Sequence, residues 1–150
     1  MRILIAVDGS AEGEAPLRGA ARWVGVLNAN VYLLQVIDGC LSTKGNGNHG
    51  PQCAGDVEAE VLAMKKARTY LDELVSRYEL PADRTRCLVG RSDNAADEIV
   101  TIAQNNGIDL IVVSGHRRSW LGQLSKDSAC SEVVSPKDCA VLCVPLARAA

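Results

Sequence analysis

A rhythm constrains this chain more than any single motif. Five short runs rich in branched apolar residues occur at Arg2–Val7, Val31–Ile37, Arg84–Val89, Leu110–Ser114 and Ala140–Val144. Between them, apolar residues recur at helical spacing over about Ala11–Leu27, Asp56–Tyr78, Ala95–Gln104 and Ser125–Val134. Strands that alternate strictly with helices fold as a parallel sheet with crossover connections and helices on both faces. The spacing therefore predicts an α/β fold: five strands, doubly wound, in a single domain over residues 1–150. Aromatics are only 3% of the chain and Phe is absent, so the core must be built from Val, Leu, Ile and Ala. Such side chains suit strands that helices cover on both faces.

Local signals set the expected boundaries. Ser10 reads as the N-cap of the first helix, with Glu12 and Glu14 in its first turn. Ser92 or Asp93 reads as the cap of the third helix, and Asn105-Asn106-Gly107 as its stop. The second helix carries one apolar stripe: Val57, Val61, Met64, Ala67, Leu71, Leu74 and Tyr78. The third strand begins with polar residues, which places it near a sheet edge. Asp38 to Ala54, rich in Gly, Asn and Ser, reads as a long loop.

Charge and composition exclude some functions. The formal net charge is −2, which gives no general attraction to nucleic acid or an acidic membrane. No apolar run approaches the roughly 20 residues of a membrane helix, and the apolar run Ile3–Val7 is too short for a signal peptide core. The expected location is the cytoplasm. There, the six cysteines are expected as free thiols, with Cys87, Cys130, Cys139 and Cys143 acting as small hydrophobes. Cys40, His49 and Cys53 share the long loop but lack a fourth ligand, so no metal site is expected. The two histidines, His49 and His116, have no identifiable acid partner, and no catalytic residues are assigned.

In doubly wound sheets, ligands bind beyond the strand C-termini where the strand order reverses. Two loops qualify: Val7-Asp8-Gly9-Ser10 after the first strand, and Gly115 to Asp127 after the fourth. The second opens on a basic turn, His116, Arg117 and Arg118, ahead of the fourth helix. Strand orders 3-2-1-4-5 and 2-1-3-4-5 are both compatible with the spacing.

Four segments carry a resemblance over nearly the whole chain: VDGS at Val7–Ser10, QVID at Gln35–Asp38, VGRSDNAADEIVTIAQNNGIDLIVVSGHR from Val89 to Arg117, and AVLCVP from Ala140 to Pro145. Together they resemble a universal stress protein. The resemblance implies the order 3-2-1-4-5 and a homodimer in which the last strands, Ala140–Val144, pair antiparallel. It also implies a site for ATP or AMP, with Mg only alongside ATP. Asp8 stands where relatives hold the ribose or a metal, Val36 where backbone groups recognise adenine, and Ser128 where a hydroxyl meets phosphate. ATP-binding relatives space glycines after the fourth strand as Gly, two residues, Gly, nine residues, then Gly-Ser or Gly-Thr. Here Gly115 matches the first glycine, Arg118 replaces the second, Asp127 replaces the third, and the spacing to Ser128 is one residue short. The glycine-rich SGGxDS loop of the related ATP pyrophosphatases is absent from VDGS. The expected function is thus a non-enzymatic stress-response module with a degenerate adenine-nucleotide site. The alternative is an ATP or AMP sensor that uses a rearranged loop.

Overall fold

A computed structural model describes residues 1–39, 57–114 and 139–144. The expected helix Ser125–Val134 and most of the 38–54 loop lie outside these residues. The described elements are β1 (Arg2–Val7), α1 (Ala15–Val26), β2 (Asn30–Ile37), α2 (Val57–Arg77), β3 (Thr85–Arg91), α3 (Ala95–Asn105), β4 (Leu110–Ser114) and β5 (Ala140–Val144). The sheet runs β3-β2-β1-β4-β5 and all its pairings are parallel. This is the order that the resemblance implied.

Strand alternation sorts side chains onto two faces. Ile3, Ile5, Val7, Val31, Leu33 and Val112 point to one, where Leu17, Ala20 and Val24 of α1 and Leu71 and Leu74 of α2 cover them. Leu4, Ala6, Tyr32, Leu34, Ile111 and Val113 point to the other, against Ile99 and Ala103 of α3. β1 lies at the centre, and five of its six residues are buried. The chain leaves β1 toward β2 and β3, and leaves β4 toward β5. The order therefore reverses between β1 and β4, the kind of switch point at which doubly wound sheets place their ligands.

Several boundaries differ from expectation. α1 starts at Ala15, not Ala11, and its N-cap residue is Glu14, not Ser10. The reason is local competition: the Ser10 hydroxyl is taken by Asp8 and Gly13 and never reaches the helix. α3 is capped by Asn94 rather than Ser92 or Asp93, its side-chain oxygen accepting from the N–H groups of Ala96 and Asp97. β3 continues through Gly90 and Arg91, because both pair with β2. The α2 stripe is buried only at Ala67, Leu71 and Leu74, while Val57, Val61 and Met64 are exposed. Cys87 and Cys139 are half-buried as expected, but Cys143 is exposed.

No helix among the described residues is long and apolar enough to cross a membrane.

Candidate functional site at the sheet switch point

The β1–α1 loop is built around one carboxylate. The Ser10 N–H donates to Asp8 Oδ1 at 2.9 Å and the Ser10 hydroxyl donates to the same oxygen at 2.7 Å. The Gly13 N–H then donates to Ser10 Oγ at 2.9 Å. This is an Asx-type turn that a serine extends by one further hydrogen bond. The Gly13 backbone lies hard against the carboxylate, since a Cβ there would come within 1.7 Å of Asp8 Oδ1. Asp8 thus organises its own loop.

Gly9 sits at φ +84°, a region that side chains disfavour. A Cβ on it would also come 2.7 Å from Gln35 Nε2. That amide ends a flexible side chain and can move, so the backbone angle decides the outcome. Gly9→Ala is expected to cost about 1–2 kcal/mol, read as a lower denaturation midpoint. Gln35 pairs in register with Val7 and so lies beside the loop. Its Oε1 is buried and has no hydrogen-bond partner among the described residues.

The loop leads into Glu14, which is only 6% exposed although charged. Its carboxylate accepts from Arg77 Nη1 at 3.0 and 3.3 Å, from the Tyr78 hydroxyl at 2.8 Å and from the Tyr70 hydroxyl at 3.3 Å. Burial, followed by the Glu14 charge, holds the Tyr70 phenol far above its ordinary pKa. Burial, followed by the hydrogen bond to Glu14, also raises that of Tyr78. A phenol whose pKa is raised on folding contributes stability that is complete below about pH 10 and is lost as pH climbs toward the folded value. Stability should therefore fall above pH 10, and fall less steeply in a Tyr70→Phe/Tyr78→Phe variant. Denaturant midpoints between pH 8 and 11.5 check this.

Across the C-terminal rim, Arg91 of β3 ties the chain just after β2 to α2. Its Nε and Nη2 donate to the Gly39 carbonyl at 3.2 and 2.8 Å, and its Nη1 reaches Glu60 Oε1 at 2.7 Å. Sequence reasoning missed this arginine and the Glu14 cluster, because nothing in local periodicity reports a polar contact made 31 or 63 residues away.

Of the expected site residues, Val7, Asp8 and Gly9 stand at the end of β1, and Val36 stands near the end of β2, paired with Gly90 and packed toward α3. Extending the register Ile5↔Val112 brings Val7 level with buried Ser114, the residue before Gly115. The chain therefore leaves β4 next to the Asp8 loop. Gly115, His116, Arg117, Arg118 and Ser128 lie outside the described residues, as do Cys40, His49 and Cys53. No group of acidic, His or Cys residues able to hold a metal occurs among the described residues.

The profile of the Universal stress protein family matches residues 1–145. The chain belongs to the universal stress protein family. No curated protein sequence matches it. Solved structures of the family share its fold. The universal stress protein UspA from Lactobacillus plantarum has a TM-score of 0.68 at 22% identity, covering 96% of this chain and 97% of its own. A universal stress protein in complex with cAMP has a TM-score of 0.63 at 20% identity, with 98% of both chains covered. One from Archaeoglobus fulgidus, in complex with dAMP, has a TM-score of 0.59 at 18% identity, covering 96% and 97%.

Proposed function

We propose that this universal stress protein is a non-enzymatic, homodimeric stress-response module of the cytoplasm whose adenine-nucleotide site is degenerate in its phosphate loop. The observation that carries this reading is the altered run after β4. A triphosphate needs closely approaching backbone N–H groups. Arg118 and Asp127 stand where the family's glycines allow that approach, and the run is one residue short. An aspartate beside phosphates repels them unless a cation intervenes. Val7, Asp8, Gly9 and Val36 would receive the nucleoside. Gly115, His116, Arg117, Arg118 and Ser128 would face the phosphates, and Mg would enter only with ATP.

A second reading, a sensor for ATP or AMP, draws support from the relatives solved with cAMP and dAMP, two adenine nucleotides with a single phosphate. It favours AMP over ATP, because a single phosphate depends less on the altered glycines. Mass spectrometry of small molecules released from the purified protein separates the two. Stoichiometric AMP supports the sensor, and an empty protein supports the degenerate module. Steady phosphate release from ATP that disappears in Asp8→Ala would refute the non-enzymatic reading.

A further inference from the structure

The most unusual group among the described residues is Glu14. A carboxylate at an N-cap ordinarily turns back to the first free N–H groups of its own helix. Glu14 makes no such bond, and α1 has no other acidic residue in its first turn. Its oxygens instead meet Tyr70, Arg77 and Tyr78, which α2 and the residue after it present at spacings of seven and eight on one side. A buried carboxylate that gives up its local role for tertiary partners points to a task in positioning.

The task follows from connectivity. Glu14 directly succeeds Gly13, whose N–H holds Ser10 and whose backbone abuts the Asp8 carboxylate. β1 fixes the other end of the loop through the pairing of Val7 with Gln35. Only residues 8–13 intervene, so the loop is clamped at both ends. We propose that Glu14 is a positioning residue: by anchoring the start of α1 to α2 through Tyr70, Arg77 and Tyr78, it sets the geometry in which the loop presents Asp8 and Gly9 at the switch point. Its consequence for ligand affinity rests on the nucleotide-site reading above, but its effect on the loop does not.

The test has two readouts, hydrogen exchange at the Ser10 and Gly13 amides and the dissociation constant for AMP. Glu14→Gln keeps the size and the acceptor oxygen but removes the charge, and Tyr78→Phe serves should that variant fail to fold. Ile99→Val, in the opposite layer, controls for lost stability alone. In Glu14→Gln the two amides should exchange roughly tenfold faster while those of β1 stay protected. AMP binding should weaken at least about fivefold. The control should move neither readout. Unchanged exchange at both amides, with only a lowered Tm as in the control, would overturn the assignment. Wild-type protein that binds no adenine nucleotide would refute the nucleotide reading, and the exchange comparison would still decide the role of Glu14.

Discussion

Replacing Leu71 with alanine is expected to cost about 3–4 kcal/mol and to lower Tm by about 6–12 °C. The side chain is 0% exposed and packs with Ile5, Leu33 and Leu74 where α2 crosses the sheet. Truncation removes its transfer energy and leaves a cavity among rigid branched neighbours, which close only in part. Val61 and Met64 lie on the same sequence stripe but are 47% and 41% exposed. Alanine at either should change stability by less than about 0.5 kcal/mol. Thermal or urea denaturation of the three variants checks the contrast. Equal losses would mean that the N-terminal half of α2 is packed as tightly as its centre.

The second large effect concerns assembly. β5 pairs with β4 and forms one border of the sheet, with Leu142 45% exposed and Cys143 exposed. An apolar border strand invites pairing with another chain. Antiparallel pairing of two identical strands is two-fold symmetric, so one substitution brings two like charges into the same apolar strand pair. Cys143→Lys should therefore convert the proposed dimer to monomers, with light scattering falling from twice the 15.9 kDa chain mass to once. Cys143 suits this test better than Val141, whose side chain packs on the α3-side core and whose replacement would also weaken the fold. An unchanged mass would place any self-association elsewhere.

Local chemistry made most of the architecture legible. Each described strand begins and ends within two residues of its apolar run, because a branched run bounded by turn residues has few other uses. The polar start of β3 signalled its place at the sheet edge. The strand order needed the family resemblance, since spacing alone allowed two orders. Periodicity misled along α2. A stripe of seven apolar positions records which side is apolar, not how far the sheet beneath extends, and the structure buries only the middle of it. VDGS marked the turn that follows β1. The competition inside it, Asp8 drawing Ser10 away from the helix, moved the start of α1 by four residues and left Glu14 to be claimed by α2.

The altered run after β4 is expected to withhold the extra affinity that a triphosphate would otherwise gain over a monophosphate. Thermal shift of one protein preparation with equal millimolar AMP and Mg-ATP reads this, because a native-state ligand stabilises by an amount that grows with the logarithm of its concentration over its dissociation constant. Mg-ATP should raise Tm no more than AMP does. A Mg-ATP shift several degrees beyond that of AMP would show an intact triphosphate cradle and contradict it.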